Sequence, residues 1–170
     1  MSDLVMRTAT ADDAEALHAL VSAHLAEGHL LPRQLGEIRR HAGRFIVAAQ
    51  DGAITACAEL APLSATVAEV RSLVVAGHFR RVGLAARLVD ELRERAKSTG
   101  FETLCAFTHD ARFFVRRGFS IVPHLWVPDK IVTDCLACPL FRRCGQYAMV
   151  LSLHAMPRYA AAPERRVAVA

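Results

Sequence analysis

The segment Arg80-Arg81-Val82-Gly83-Leu84-Ala85 has residue types suited to binding an anion. It lies between a predicted strand ending at Val75 and a long amphipathic helix, and a turn that enters a helix presents unpaired backbone N–H groups to an anion. Gly83 has no side chain to block the close approach of an anion, and the small side chain of Ala85 leaves the first helical turn accessible. Arg80 or Arg81 can screen the remaining charge of the anion. The pattern predicts a site for a pyrophosphate-sized anion, with a helix that merely begins near a glycine as the alternative.

A second candidate residue is the carboxylate of Glu69, which interrupts an apolar strand predicted at 67–75. Alternation along the strand places Glu69, Arg71 and Leu73 on one face. A carboxylate in a buried strand is costly unless it is paired or functional. Glu69 is therefore predicted either to pair with Arg71 or to act as a general base, and His109, at the end of the next strand, is the second candidate for that base.

Three cysteines, Cys135, Cys138 and Cys144, fall within ten residues of one another. Thiolates at short spacing are typical zinc ligands, but a structural zinc site normally has four ligands. A second subunit could provide the fourth ligand, or this chain could through His124, Asp134 or His154. A reduced, metal-free cluster is an equal alternative, and Cys57 and Cys105 are predicted to be core residues.

Length and composition limit the classes of protein to which the chain can belong. The chain has 170 residues, of which 53% are hydrophobic and 22% charged, so one globular domain is predicted rather than a disordered tail. No apolar run approaches the ~20 residues of a membrane helix, and the first residues do not resemble a secretory signal. The expected location is the cytoplasm. The net charge is +4 with dispersed cations, and aromatic residues make up 6%, which argues against nucleic acid as a partner.

The hydrophobic pattern predicts an α+β fold with a mixed central sheet flanked by helices. We expect an ordered domain over residues 1–153 and a disordered tail over 154–170. The predicted strands cover 5–8, 45–50, 53–63, 67–75, 104–108, 120–122 and 146–153. The predicted helices begin after Thr10, with Pro32 as the first residue of a helix reaching 42, and then cover 82–98 and 111–117.

About 30 residues after the anion-binding turn comes Phe113-Phe114-Val115-Arg116-Arg117-Gly118-Phe119. This pairing of motifs resembles the GNAT family of acetyl-CoA-dependent N-acetyltransferases, whose motif is Gln/Arg-x-x-Gly-x-Gly/Ala followed by a helix ending in Gly-Phe. The resemblance implies the GNAT fold, with a mixed, mostly antiparallel sheet, and acetyl-CoA as cosubstrate. The residues implied to bind acetyl-CoA are Leu73, Val74, Val75, Arg80, Arg81, Val82, Gly83, Leu84, Ala85 and Phe114.

The resemblance also assigns chemical roles. Many GNAT enzymes carry a base at the position of Glu69, which is therefore expected to deprotonate the amine through a water molecule. A main-chain N–H near Leu73 to Val75 is expected to stabilise the oxyanion. Many members place a tyrosine acid where this chain has Phe114. The CoA thiolate would then leave unassisted, or be protonated by water or Tyr147, since a thiol pKa of ~8.5 allows departure as the anion.

Four segments narrow the resemblance to the short, single-domain N-acetylglutamate synthases of bacterial arginine biosynthesis. These segments are Leu30-Leu31-Pro32-Arg33, residues 69–73, residues 108–119, and residues 128–141 followed by Cys144. The implied reaction is acetylation of the α-amino group of L-glutamate. Its carboxylates would be bound by Arg33 and Arg71, with Lys130 as a third cation and Thr108 also lining the site.

Other functions stay open. A polyamine, a protein N-terminus or an antibiotic amine could be the acceptor, and a non-catalytic acetyl-CoA-binding regulatory module is a further alternative. The chain departs from the synthase pattern at Asp129-Lys130, where that family has His-Lys, and Asp129 is expected to repel a substrate carboxylate. Because GNAT proteins often dimerise, the resemblance also implies a possible homodimer.

Overall fold

The computed structural model describes residues 4–28 and 30–154. Its seven strands form one sheet in the order β1-β2-β3-β4-β5-β7-β6. The strands are β1 Val5–Thr8, β2 Phe45–Gln50, β3 Ala53–Pro62, β4 Val67–Val75, β5 Thr103–Thr108, β6 Ser120–Val122 and β7 Tyr147–Ser152. The α-helices are α1 Ala14–Ala23, α2 Leu35–Arg40, α3 Leu84–Thr99, α4 Ala111–Val115 and α5 Pro128–Lys130, which continues as a π-helical segment Ile131–Cys135.

The sheet is mixed, because every neighbouring pair of strands is antiparallel except β4 and β5. The long helix α3 forms the crossover between these two parallel strands, as a parallel connection requires. The predicted α+β class and mostly antiparallel sheet are confirmed. No helix in the described ranges combines the length and apolar character needed to cross a membrane.

The core is divided between the two faces of the sheet. On one face, α3 packs Leu84, Leu88 and Leu92 against strand residues that include Leu104 and Met149. On the other face, α1 and α2 contribute Leu17, Val21 and Ile38, which pack with Phe45 and Val47. Each fully buried side chain of this size contributes about 2 kcal/mol through the hydrophobic effect. Helices therefore pack against both faces of the sheet and stabilise it.

The starts of two predicted helices are wrong. The second helix begins at Leu35 and not at Pro32, because Gln34 is extended and Arg33 turns inward to form ion pairs. The long helix begins at Leu84 and not at residue 82, because Arg81 and Gly83 have φ angles of 69° and 81°, outside the right-handed helical region. The helical segment after Pro128 was not among the predicted elements. Of the predicted tail 154–170, residues 155–170 lie outside the described ranges.

A β-bulge in β4 changes which side chains share a face. Arg71 pairs with Glu59 and Val74 with Cys57, so Ser72 and Leu73 together stand opposite the single residue between those two on β3. Ser72 has a φ of 48°. Leu73 packs into the α3 side of the core, so the prediction that it shares the face of Glu69 and Arg71 is wrong. The extra residue reverses the alternation beyond the bulge.

Strands β4 and β5 pair only over the first four residues of each. Their register runs from Val67 opposite Thr103 to Val70 opposite Ala106. Beyond these pairs, β5 continues against β7, and β4 continues against β3. The two parallel strands therefore separate within the described sheet, and the backbone of residues 71–75 borders the gap between them.

Candidate active site

A cavity of about 730 Å³ opens where β4 and β5 separate. Its walls come from the connection between α1 and α2, from β4, from the ends of β5 and α4, and from the α5 segment. Of the residues predicted to form the site, the cavity is lined by Arg33, Glu69, Arg71, Leu73, Val74, Arg80, Thr108, Phe114 and Lys130. The fold thus brings together residues that are far apart in the sequence.

Glu69 is the centre of one charged cluster in this cavity. The whole residue is only 3% exposed. It accepts hydrogen bonds from Nε of Arg71 and from Nζ of Lys130, the latter at 2.8 Å. Asp134 accepts from both cations and closes the cluster. The predicted pairing of Glu69 with Arg71 is present, and the carboxylate also lines the cavity.

The balance of charges in this cluster keeps Arg71 protonated. Burial lowers the pKa of Arg71, but the charge and hydrogen bond of Glu69, together with the charge of Asp134, outweigh burial and raise it. Asp129, which was expected to repel a substrate carboxylate, is not among the cavity-lining residues, whereas Asp134 lines the cavity and pairs with Lys130.

Arg33 is the centre of a second charged cluster. Its Nη1 donates to Oε2 of Glu59 at 2.8 Å and to Oγ of Ser72 at 2.9 Å. Its Nη2 and Nε donate to the two carboxylate oxygens of Glu37, at 2.7 and 3.3 Å. Burial lowers the pKa of Arg33, but its hydrogen bonds to Glu37 and Glu59 outweigh burial and raise it.

Glu59 was missed in the sequence. Its side chain is 1% exposed, in the middle of β3. The signal that could have identified it is the same as for Glu69, a carboxylate in an otherwise apolar strand. The β3–β4 register places Glu59 opposite Arg71, which joins the two charged clusters across neighbouring strands.

The turn before α3 has free backbone donors. Among the described residues, the amides of Val82, Gly83, Leu84 and Ala85 have no hydrogen-bond acceptor. The side chain of Leu84 is buried in the core, so its amide is the group available to a ligand. This turn, residues 81–85, is not part of the cavity wall itself.

Arg80 joins the turn to the cavity wall. Its Nη2 donates to Glu27 at 2.6 Å and its Nε donates to the carbonyl of Val75 at 3.0 Å. The side chain is therefore fixed between the end of β4 and the segment after α1.

Aromatic rings form another part of the wall. Phe114 is buried in edge-to-face contact with Phe113 and Phe119, at centroid distances of 5.0 and 5.2 Å.

Tyr147, the candidate acid, is 48% exposed and is not among the cavity-lining residues, whereas His109, the second candidate base, is one of them. The hydroxyl of Thr108 accepts from the amide of Asp110 at 3.0 Å.

The structure gives no support to a zinc site at the three clustered cysteines, which was one of the two alternatives. All five are free thiols. Within the described ranges, no group of three or more His, Cys, Asp or Glu side chains is placed to hold a metal ion. Cys138 lines the cavity, whereas Cys135 and Cys144 do not. Burial raises the pKa of the core residue Cys57 to about 12.

The chain is similar to known acetyltransferases. Residues 11–119 match the model of the acetyltransferase (GNAT) family. An uncharacterised N-acetyltransferase of Chlorobaculum tepidum is 31% identical over 152 residues, which is 89% of this chain and 98% of that protein. The amino-acid acetyltransferase of Azotobacter vinelandii is 33% identical over 117 residues, which is 68% of this chain and 27% of that protein.

A solved structure shares the fold. The crystal structure of N-acetylglutamate synthase from Neisseria gonorrhoeae, complexed with coenzyme A and N-acetyl-glutamate, has a TM-score of 0.79 to this chain and 23% sequence identity. The match covers 91% of this chain and 36% of that one. This chain thus spans about a quarter of the Azotobacter relative and about a third of the Neisseria protein. The predicted fold and family are confirmed, and the chain belongs to the acetyltransferase (GNAT) family.

Proposed function

We propose that this chain transfers the acetyl group of acetyl-CoA to the α-amino group of an amino acid, for which the sequence predicts L-glutamate. The observation that carries the proposal is the cluster of Glu69, Arg71 and Lys130 in the cavity between β4 and β5. It combines a carboxylate that can accept a proton with cations that can bind a carboxylate. The gap beside it offers a strand edge to the acetyl donor.

The donor would be held mainly by backbone groups. The free amides of residues 82–85 lie at the positive end of the α3 dipole and could donate to an anion, which suits the pyrophosphate of CoA. The pantetheine arm would lie along Leu73, Val74 and Val75, where the backbone borders the gap. Phe114 would then form an apolar wall near the thioester.

The reaction requires one proton to leave the amine. The amine nitrogen forms a bond to the thioester carbonyl carbon while its proton passes through a water molecule to Glu69. A backbone N–H of the bulged part of β4 would stabilise the oxyanion. The C–S bond then breaks, and CoA leaves as a thiolate, which a thiol pKa of ~8.5 permits without a tyrosine acid.

The acceptor carboxylate would be bound by Arg71. A guanidinium has five N–H donors, and Arg71 uses one on Nε and one on Nη2 for Glu69 and Asp134. The remaining donors on Nη1 and Nη2 can form a bidentate pair with an α-carboxylate. This arrangement would place the amine of the bound amino acid near Glu69.

The test is release of free thiol from acetyl-CoA with a panel of amines, with the products identified by mass spectrometry. The panel contains α-amino acids, a polyamine, a peptide with a free N-terminus and an aminoglycoside. We expect release with an α-amino acid and acetylation at its α-nitrogen. Release only with amines that lack an α-carboxylate, or binding of CoA without release, would overturn the proposal.

A variant tests the role of Arg71. Arg71→Gln is expected to raise the KM for the amino acid at least tenfold, because a charge-assisted bidentate contact is lost, while the KM for acetyl-CoA stays the same. Arg40→Gln is the matched control, since Arg40 is exposed at the end of α2 and away from the cavity wall. An unchanged KM for every acceptor in Arg71→Gln would assign the carboxylate contact to another residue.

A further inference from the structure

Two of the clustered thiols belong to one hydrogen-bonded turn. The amide of Cys138 donates to the carbonyl of Cys135 at 3.0 Å, and Leu136 has φ and ψ angles of −61° and −31°, as in a type I turn. The α-carbons at the two ends of such a turn lie within about 7 Å, which is also the upper limit for two residues joined by a disulfide. The backbone of the reduced chain therefore already has the span that a link between Cys135 and Cys138 requires.

This turn is accessible to small molecules, whereas the core thiols are not. Cys135 and Cys138 are both partly exposed. Burial raises the pKa of Cys135, but the neighbouring charge of Lys130 opposes this effect. Cys57 and Cys105 are buried, and burial raises the pKa of both thiols. Because the thiolate is the form that reacts with a disulfide, the two core thiols are protected both by exclusion and by protonation.

The turn follows the segment that supplies two charges to the cluster around Glu69. Nζ of Lys130 lies 2.8 Å from the Glu69 carboxylate and 2.9 Å from that of Asp134. Asp134 directly precedes Cys135, and Cys138 lines the cavity. A disulfide has a preferred dihedral angle near 90°, so closing the ring would fix the torsion angles of the turn. The Asp134 carboxylate and the cavity wall at Cys138 would shift with it.

We propose that Cys135 and Cys138 form a reversible modification site at the edge of the cavity, which reacts with low-molecular-weight disulfides. The thiolate of Cys138 attacks one sulfur of the small disulfide, breaks its S–S bond and expels one thiolate. The thiolate of Cys135 then attacks the Cys138 sulfur of this mixed disulfide and expels the second thiolate. Two protein thiols are oxidised to one disulfide, one small disulfide is reduced to two thiols, and the protons of the protein thiols end on the thiols released.

The first test maps the link and needs no catalytic turnover. The reduced chain is incubated with oxidised glutathione at pH 8, alkylated and digested with trypsin, which cuts after Lys130 and Arg142. The peptide 131–142 then contains Cys135 and Cys138, whereas Cys144 lies in another peptide. We expect mass spectrometry to find peptide 131–142 unalkylated and lighter by two hydrogens.

Two variants sharpen this test. Cys135→Ser should stop at the mixed disulfide, with one glutathione on Cys138, because the thiol that resolves it is gone. Cys144→Ser, at the exposed neighbour, is the matched control and should still form the internal link. Full alkylation of peptide 131–142 in the wild-type chain, or a peptide joined through Cys144, would overturn the proposed site.

The second test, which rests on the proposed function, measures the effect of the link on the cavity. After glutathione is removed by gel filtration, the linked chain should have a KM for the amino-acid acceptor several-fold above that of the reduced chain, with an unchanged KM for acetyl-CoA. Dithiothreitol should restore the lower value. The double variant Cys135→Ser/Cys138→Ser should have the same acceptor KM with and without the oxidant.

The outcomes of the second test can be told apart. Equal acceptor KM values for the linked and reduced chain would overturn the effect on the cavity. Absence of acetylation in both forms with every amine would overturn the proposed function and leave the mapped link in place.

Discussion

The two sides of the cavity differ in the groups that form them. The side proposed for acetyl-CoA offers the edge of β4 and the ring of Phe114, and it leads past Arg80 to the backbone amides of residues 82–85, outside the cavity wall. The side proposed for the acceptor consists of charged side chains that are joined in two ion-pair clusters around Arg33 and Glu69. The first side depends on backbone conformation, and the second on which charges are neutralised.

This difference has a consequence for specificity. Backbone amides keep their chemistry whatever side chain they carry, so the donor side can stay constant while the sequence changes. The acceptor side changes with single charges, because each carboxylate in the cavity either holds a cation or leaves it free for the substrate. Substitutions on the two sides should therefore affect different kinetic constants.

The largest expected effect is on the acceptor side, at Glu69. Glu69→Gln removes the group proposed to accept the amine proton, so kcat should fall by about 100-fold or more. The remaining activity should rise more steeply with pH, since only the acceptor that is already deprotonated can react. Stopped assays of kcat between pH 6 and 9 measure both effects, and the KM for acetyl-CoA should not change.

Glu94→Gln is the control for this prediction, because it removes an exposed carboxylate that pairs with Lys97 on α3. If Glu69→Gln kept the wild-type pH profile and lost only affinity for the acceptor, Glu69 would be a partner of Arg71 and Lys130 and not the base.

The two sides also differ in how far the sequence could predict them. The turn at 80–85 is a contiguous segment whose motif depends on local backbone geometry. The sequence therefore correctly predicted that a turn containing a glycine precedes a long helix. The ion pairs of Arg33 with Glu59 and of Lys130 with Glu69 join residues 26 and 61 positions apart. Their partners depend on strand register, which alternation alone does not determine.

The bulge at Ser72 explains the clearest error. Alternation assigned Leu73 to the face of Glu69, and a single inserted residue moved it to the opposite face. The residue types in Arg71-Ser72-Leu73 do not predict the φ of 48° at Ser72, because serine has no special preference for that conformation. Glu59, by contrast, carried the same signal as Glu69 and could have been found.

A smaller effect is expected on the donor side, at Gly83. Its φ of 81° is unfavourable for any residue with a Cβ, so Gly83→Ala should distort the turn and raise the KM for acetyl-CoA several-fold. Gly52→Ala is the matched control. Gly52 has a φ of 80° in the β2–β3 turn, and an added Cβ would meet no atom within 4 Å at either glycine.

Both glycine variants should lose about 1 kcal/mol of stability, because each forces a side chain into the left-handed region. Only Gly83→Ala should change the KM for acetyl-CoA, and neither should change the KM for the acceptor. Equal KM values for acetyl-CoA in the two variants would show that the turn before α3 does not hold the donor.

The smallest effect is expected where a charge has a structural role alone. Asp13, next to the start of α1, accepts hydrogen bonds from Arg7 at 2.7 and 2.8 Å and from the amide of Thr10 at 2.8 Å. The hydrogen bonds from Arg7 hold the pKa of Asp13 at about 2, despite the opposing effect of burial. A carboxyl whose pKa is lower in the folded state stabilises the fold above its ordinary pKa near 3.9.

Asp13→Asn should therefore reduce the free energy of unfolding at pH 7 by about 1 kcal/mol, a value kept small because Arg7 is 42% exposed and the pair is screened by solvent. Urea unfolding of both proteins from pH 7 down to pH 3 measures the difference, which should stay constant to about pH 4 and then shrink as Asp13 begins to take up protons. Asp12→Asn, at the exposed neighbour, should show no such difference.

Neither variant should change kcat or either KM, because the Asp13 carboxylate positions α1 against β1 without contacting the cavity. A change in the acceptor KM in Asp13→Asn would mean instead that the α1 side transmits its stability to Arg33, and that the structural and binding charges of the acceptor side are coupled.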